Sequence, residues 1–400
     1  KELCAAVGRT KREFTPRVVE EDVQAEAEEI ISGRITDALL IQAKLEREAA
    51  CNALKDEMEE KLIDKFGDEN ITGFIVGEAF YAIQKAAVRK LVLDDGKRLD
   101  GRGFEDLRPL TSEAGMIPRT HGSGLFSRGE TQGLSLVTLG TTDDTQSYDA
   151  YTGGPNEKRF MLHYNFPNFS VGETGRIMGP GRREIGHGAL AERSIAPVIP
   201  SLEDFPYAVR VTAEIMESNG STSMAAVCSG TLALLDAGVP LKRSVAGISI
   251  GLCTRSNGSG EIEAYKLLTD IIGWEDAFCD MDCKIAGTDQ GITGFQLDLK
   301  LKGVPYSIME EAIGLAKKSR TAILSNMGGC LAKERDEMSP YAPRIVTIPI
   351  DPSKIGELIG PGGKNIKRIV EESGCEINIE DDGRVLVYSM SAEGLQVAKD

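Results

Sequence analysis

At Lys97 the apolar residues change their period, and no single layer of structure accommodates both halves of the pattern. Before it, Val76, Phe80, Ile83, Ala87 and Leu91 recur at spacings of three and four, the stripe of a helix packed on one side. After it come Gly-rich turns and short runs. Phe295, Leu297, Leu299 and Leu301 alternate there with Gln296, Asp298, Lys300 and Lys302, the period of a half-buried strand. A chain of 400 residues is also too long for one ordinary core. The expectation is an α+β multidomain protein.

Three stretches follow from this reading. Residues 1–96 read as an all-helical domain: Pro16 suits a first helical turn, Gly33 interrupts, Ala38, Ile41, Leu45 and Ala49 continue the stripe, and Gly67 to Gly73 break it. Residues 97–338 read as a mixed α/β domain, in which Pro305 opens a helix carrying Ile308, Ala312 and Leu315 on one side. Residues 339–400 begin in the linker-like Met338-Ser339-Pro340-Tyr341-Ala342-Pro343 and then read β-α-α-β-β. Arg344 to Ile350 is extended, Pro352 to Leu358 and Lys364 to Ser373 are helical, and Glu376 to Ile379 and Val385 to Tyr388 are extended. The sequence stops inside one more expected helix, from Ala392, so this domain reads as incomplete. The first residues, Lys1-Glu2-Leu3-Cys4, have neither an initiator Met nor a signal-peptide pattern, and the chain reads as an excised portion of something longer.

The net charge of −16 argues against indiscriminate nucleic-acid binding, so any RNA contact must be local. Eight scattered cysteines without a CxxC pair read as reduced thiols in a reducing compartment. No apolar run approaches the ~20 residues that span a bilayer.

Asp280, Asp282 and Lys284 alternate with Met281, Cys283 and Ile285, which on a strand puts two carboxylates and an ammonium on one face. Asp276 lies close enough upstream to add a third carboxylate. Such hard oxygen donors suit magnesium, or manganese in its place; the same residues would also make a solvated strand edge. Tyr207 to Met216 reads as a strand, Glu217 to Ser223 as a polar turn and Met224 to Leu235 as a helix with Met224, Cys228, Leu232 and Leu235 on one side. A turn holding Gly220, Ser221, Thr222 and Ser223 ahead of a helix start offers free N–H groups and hydroxyls to a phosphate, although one hydroxyl alone would serve as a plain helix cap. Gly179 to Gly188 carries Arg182 and Arg183 in a Gly-rich loop, where guanidinium groups suit a polynucleotide backbone or simply face solvent; His187 reads as a hydrogen-bonding loop residue more than a general base. Thr120 to Gln132 is a second polar, Gly-rich stretch to which spacing assigns no role. Ile359-Gly360-Pro361-Gly362-Gly363-Lys364 sits between two helices of the C-terminal domain, where a GxxG loop can clamp a single-stranded backbone, with Lys354, Lys364, Lys367 and Arg368 as local positive charge.

Taken in order, Leu125 to Gln132, Gly179 to His187, Glu217 to Met224, Asp280 to Lys284 and the GxxG loop closely resemble the polynucleotide phosphorylase family of polyribonucleotide nucleotidyltransferases, over nearly the whole chain. The resemblance implies an all-α linker domain, an RNase PH-like mixed α/β core, the second of two in that family, and a truncated type I KH domain. It places Asp276, Asp282 and Lys284 in the active site, with Asp276 and Asp282 holding Mg2+ or Mn2+. Ser221, Thr222 and Ser223 match the phosphate site, Thr222 standing where the family often has Ser. Arg182, Arg183 and His187 match residues near the RNA 3′ end, and Gly360, Gly362, Gly363 and Lys364 the RNA-binding loop. The implied activity is phosphate-dependent 3′-to-5′ degradation of single-stranded RNA to nucleoside diphosphates, reversible as 3′ polymerisation. Implied partners are RNA, inorganic phosphate, nucleoside diphosphates, a homotrimeric ring in the full-length protein and RNA-degradation complexes, with no membrane, in bacterial cytoplasm or an organelle. The rivals are a non-catalytic RNA-binding ring subunit of the same fold and a hydrolytic nuclease. One simple test separates them. The 400 residues read as lacking that family's first core and its OB-fold domain, which sets ring assembly of this chain apart as an open expectation.

Overall fold

The computed structural model describes residues 2–148, 153, 157–176, 178–257, 260–389 and 392–400. Its internal contacts form two units, residues 1–103 with 254–264, and residues 104–253 with 265–400.

The first unit is built on five helices: α1 (Glu2–Val7), α2 (Glu21–Ile31), α3 (Arg34–Leu39), α4 (Lys44–Phe66) and α5 (Gly73–Leu93). Val23, Ala27 and Ile31 of α2, Met58 and Leu62 of α4, and Val76, Phe80, Ile83 and Leu91 of α5 are buried at helical spacing. Two local expectations fail. The helix after Pro16 begins only at Glu21, because Arg17 lies over the Phe74 ring at 4.3 Å and donates to Thr72 Oγ1, leaving Glu21 and Asp22 to favour the helix start. Ile41 and Leu45 are not on one stripe. The chain leaves helix between Leu39 and Lys44, where buried Arg47 donates to the Ile41 carbonyl at 2.9 Å, and Leu45 is exposed.

The second unit contains sheets of five, four, three and two strands. Its elements are β1 (Leu110–Ala114), β2 (Gly122–Arg128), β3 (Thr131–Gly140), β4 (Gln146–Ser147), β5 (Glu157–Lys158), β6 (Phe160–Asn165), α6 (Arg182–Ile195), β7 (Ala208–Glu217), α7 (Thr222–Asp236), β8 (Ala246–Ser256), β9 (Ile262–Thr269), α8 (Gly273–Phe278), β10 (Met281–Gly287), β11 (Ile292–Leu299) and α9 (Tyr306–Cys330). The first sheet runs β1-β2-β3-β7-β6, with β6 and β7 parallel, and the second β11-β10-β8-β9. Helix α7 is buried on every side from Thr222 to Leu235, whereas its sequence suggests one apolar stripe. The reason is its position between the sheets. A Cβ at Gly124 of β2 would come within 2.6 Å of the Ser229 carbonyl, and one at Gly247 of β8 within 2.6 Å of Met224, so glycines let both sheets approach the same helix.

Strand β11 has the expected period but presents the opposite face. Its Asp298, Gln296 and Gly294 stand opposite Asp282, Lys284 and Ala286 of β10, and Gly294 packs against Ser194 of α6. Phe295 and Leu297 consequently lie exposed on the other face of this edge strand.

The C-terminal layer comprises β12 (Arg344–Pro349), α10 (Ile355–Ile359), α11 (Lys364–Ser373), β13 (Glu376–Ile379), β14 (Arg384–Ser389) and α12 (Ala392–Lys399). Its antiparallel sheet has the order β12-β14-β13, around Cys375, Val385 and Val387. The Tyr207 hydroxyl fastens it to the preceding core, donating to the Pro343 carbonyl at 2.9 Å and accepting from the Ile345 N–H at 3.2 Å. All eight cysteines are free. Among the described residues no helix is long and apolar enough to cross a membrane.

Candidate active site

The turn between β7 and α7 is held in a backbone conformation that its sequence would not choose alone. Ser221, the residue before α7, has φ 53°, and Gly220 before it has φ 90°. A Cβ at Gly220 would sit 2.6 Å from the Ile271 carbonyl, so only glycine fits. Three other segments, at Arg108, at Arg128 to Thr131 and at Gly273, hold the turn. Asn219 accepts from Gly273 N–H at 3.2 Å and donates to Glu130; the Thr131 hydroxyl donates to the Gly220 carbonyl at 3.0 Å. Arg108 donates to the Asn219 carbonyl at 2.7 Å and Arg128 to the Ser221 carbonyl at 3.3 Å. Both guanidinium groups also pair with Asp270, at 2.7 and 2.6 Å, and the carboxylate is fully buried. Two cations share one anion here. The excess positive charge lies beside the turn and the N-terminus of α7, which favours an anionic ligand.

Within that turn the Ser221 and Ser223 hydroxyl oxygens are buried without a hydrogen-bond partner. Buried polar atoms are nearly always paired, so two orphans at a helix start point to an absent acceptor. Thr222 differs. Its Oγ1 lies 2.6 Å from Tyr164 Oη, and Tyr164 is in turn 3.2 Å from His187 Nδ1.

His187 is in the second turn of α6, which Glu184 caps by accepting from the N–H groups of Gly181 and Phe166 at 2.7 and 3.0 Å. Arg182 and Arg183 occupy the first turn and are exposed, with Arg183 stacked 4.2 Å over Phe166. Cations at the positive end of a helix are unfavourable, and Glu184 offsets that cost. Burial pushes the His187 imidazole down to about 4, assisted by Arg183 and then Lys284, so at neutral pH the ring is uncharged. Burial likewise pushes the Tyr164 phenol up.

Lys284 reaches this group from β10. On that strand Asp282 and Lys284 share one face while Met281, Cys283 and Ile285 take the other; both faces are buried, rather than one being solvated. The Lys284 ammonium bonds Asp282 Oδ2, and Asp282 Oδ1 is buried with no partner. Burial first, then the Asp276 and Asp298 carboxylates, raise the Asp282 carboxyl, with Lys284 opposing. Asp276 stands on α8 and is exposed. The three carboxylates expected together, Asp276, Asp280 and Asp282, do not form one cluster: Asp280 precedes the strand, its N–H donating to the Leu252 carbonyl, and no group of three or more candidate metal ligands occurs among the described residues. Two carboxylates, one with an orphaned oxygen, still fit a magnesium ion, which uses one or two carboxylates and takes its other oxygens from water and phosphate.

The chain of influence thus runs Asp282, Lys284, His187, Tyr164, Thr222, from the carboxylate strand to the serine turn. Tyr164, Arg108, Arg128, Thr131 and Asp270 are missed by the motif reading. Arg128 and Thr131 lie in the Thr120–Gln132 stretch to which no role was assignable from spacing. In Phe160-Met161-Leu162-His163-Tyr164, a tyrosine at an inward strand position is the only hint.

The GxxG turn lies in the C-terminal layer. Gly360, Gly362 and Gly363 have φ of 72°, 62° and 78°, and a Cβ at Gly360 would meet the Asn365 side chain at 2.6 Å. Lys364, Lys367 and Arg368 are exposed on α11. A groove of about 470 Å³ beside the turn is lined by Ile350, Lys354, Leu358, Asn365, Arg368 and Ile369, among others.

Family comparisons agree with this layout. Residues 19–103 match the polyribonucleotide nucleotidyltransferase RNA-binding domain, residues 106–240 the 3′ exoribonuclease family domain 1, and residues 345–400 the KH domain. Proteins named polyribonucleotide nucleotidyltransferase are 52% identical over 402 residues in Methylacidiphilum infernorum, covering 100% of this chain and 56% of the relative. That of Akkermansia muciniphila is 56% identical over 371 residues, covering 92% and 52%. That of Bacillus subtilis is 48% identical over 398 residues, covering 100% and 55%. The chain therefore spans about half the length of the curated relatives it matches. With a helical region, an RNase PH-like α/β core and a KH domain in that order, the chain belongs to the polyribonucleotide nucleotidyltransferase family.

Proposed function

We propose that this chain carries the reaction centre of a phosphate-dependent 3′-to-5′ exoribonuclease that releases nucleoside diphosphates from single-stranded RNA and, in reverse, extends RNA 3′ ends. The observation that carries the reading is the pair of orphaned hydroxyls, Ser221 and Ser223, flanking Thr222, whose hydroxyl meets Tyr164 and through it His187, a ring that feels the charge of Lys284. In this reading inorganic phosphate occupies the Ser221–Ser223 turn and attacks the terminal phosphodiester in line. Phosphate is already an anion at neutral pH, so it needs no strong base; a neutral His187 is consistent with that. Arg182 and Arg183 hold the RNA backbone near its 3′ end, and Lys284 places positive charge by the scissile group. Asp276 and Asp282 would hold magnesium, or manganese in its place, whose charge when bound offsets repulsion between the two phosphates. Gly360, Gly362, Gly363 and Lys364 retain RNA in the C-terminal layer.

The core is proposed to be the second of two in a full-length homotrimeric ring of the bacterial cytoplasm, working with other RNA-degrading proteins. Incubating oligoadenylate with magnesium, with and without phosphate, tests the reaction. ADP formed only with phosphate supports phosphorolysis; AMP formed without phosphate indicates hydrolysis, and no product indicates an RNA-binding subunit.

A further inference from the structure

Thr222, Tyr164 and His187 form a file of hydrogen-bonding groups whose polarity is not fixed by their positions. Tyr164 Oη is 2.6 Å from Thr222 Oγ1 and 3.2 Å from His187 Nδ1, and the two rings meet edge-on with centroids 5.3 Å apart. Thr222 and Tyr164 are buried. Each hydroxyl has one proton to give, and a neutral imidazole carries one proton on either nitrogen. Two arrangements satisfy all three groups. In the first, Thr222 donates to Tyr164, Tyr164 donates to His187 Nδ1, and the imidazole proton is on Nε2. In the second, His187 donates from Nδ1 to Tyr164, Tyr164 donates to Thr222, and the Thr222 proton points into the serine turn.

What occupies the turn decides between them. Among the described residues the Thr222 hydroxyl meets no hydrogen-bonding group other than Tyr164, so without a ligand only the first arrangement uses its proton. An anion beside Ser221 and Ser223 offers that proton an acceptor and so favours the second.

We infer that Tyr164 is a positioning residue that reports occupancy of the anion pocket to His187: inorganic phosphate at Thr222 reverses the file, and the imidazole proton moves from Nε2 to Nδ1. The inference rests on reading Ser221–Ser223 as a phosphate site. The two hydroxyls only rotate. The ring gives its Nε2 proton to water and takes one from water at Nδ1 as the Tyr164 hydroxyl turns towards Thr222, so net charge is unchanged. Burial, which keeps the ring neutral, makes both tautomers accessible. The consequence is chemical: with phosphate bound, Nε2 presents a lone pair, an acceptor for a ribose hydroxyl at the RNA 3′ end. The first reactant thereby readies the ring for the second.

The chain has three histidines, His121, His163 and His187, so histidine-selective nitrogen labelling gives a simple spectrum. Titrating the 400-residue chain with inorganic phosphate at neutral pH should exchange the Nδ1 and Nε2 signatures of His187 and leave those of His121 and His163 unchanged. Tyr164→Phe keeps the ring and removes the relay. Phosphate should then still bind, through Ser221, Thr222 and Ser223, without changing the His187 tautomer. Thr222→Val cuts the file at its other end, should give the same spectrum, and carries the test if Tyr164→Phe fails to fold. Phosphate binding to the wild-type chain without tautomer exchange, or exchange that persists in the folded variants, overturns the inference. A wild-type chain that does not bind phosphate refutes the pocket itself, and this inference with it.

Discussion

Arg128 and Asp270 lie 2.6 Å apart with neither side chain exposed to solvent. Arg108 shares the same carboxylate at 2.7 Å, and both arginines donate onward to carbonyls of the serine turn. Asp270→Asn leaves two buried guanidinium groups without a counter-charge. A loss of about 3–5 kcal/mol in unfolding free energy is expected, read from urea melts, together with weaker phosphate binding as the turn loosens.

The orphaned hydroxyls give the opposite sign. Ser221→Ala and Ser223→Ala remove buried oxygens that have no protein partner, so the ligand-free chain should be as stable as before or slightly more stable. Phosphate affinity should fall in both. Ser229→Ala is the control: its hydroxyl is 2.7 Å from that of Ser135, and its loss should cost about 1 kcal/mol. Destabilisation of all three variants alike would mean the turn is only a helix cap.

Asp282→Asn in the full-length enzyme should abolish ADP release from oligoadenylate while leaving RNA affinity largely intact, since Asp282 is buried beside Lys284. Near-normal turnover would remove it from the chemistry.

His187 makes stability depend on acid. Its folded value is about 4 against an ordinary 6.5, so the folded chain resists protonation there. The contribution is fully present above 6.5 and is lost as pH falls from 6.5 towards 4, to the extent of roughly 3 kcal/mol. Asp282, with its carboxyl raised, works the other way at lower pH, gaining stability on protonation. His187→Gln should flatten the upper part of this profile in pH-dependent thermal melts.

Replacing Gly362 and Gly363 by Asp puts side chains at φ of 62° and 78° and adds negative charge beside Lys364. Weaker RNA binding is expected, measured by fluorescence anisotropy; unchanged affinity would take the RNA contact away from this turn.

Periodicity and turn chemistry made much of this architecture legible. Of the stripe Val76, Phe80, Ile83, Ala87 and Leu91, all but the half-buried Ala87 are buried in α5, and the β-α-α-β-β pattern after Pro343 appears within a residue or two of its expected boundaries. Among the candidates named from motifs, Asp282 pairs with Lys284, and Thr222 meets His187 through Tyr164. What stayed hidden depends on contacts between distant segments. Asp270, Arg108 and Arg128 are separated by up to 162 residues and look like ordinary surface charges in sequence. Tyr164 is a core tyrosine until its hydroxyl is seen between Thr222 and His187. The outward turn of Phe295 and Leu297 was likewise illegible, since period alone does not say which face of a strand a neighbouring helix will cover.

That outward turn has a practical consequence. Phe295 and Leu297 sit on the last strand of their sheet, whose outer backbone groups no neighbouring strand engages among the described residues. A greasy, open margin of this kind is adhesive. A preparation of this stretch on its own should clump as concentration rises, and a lysine at either position should keep it dispersed.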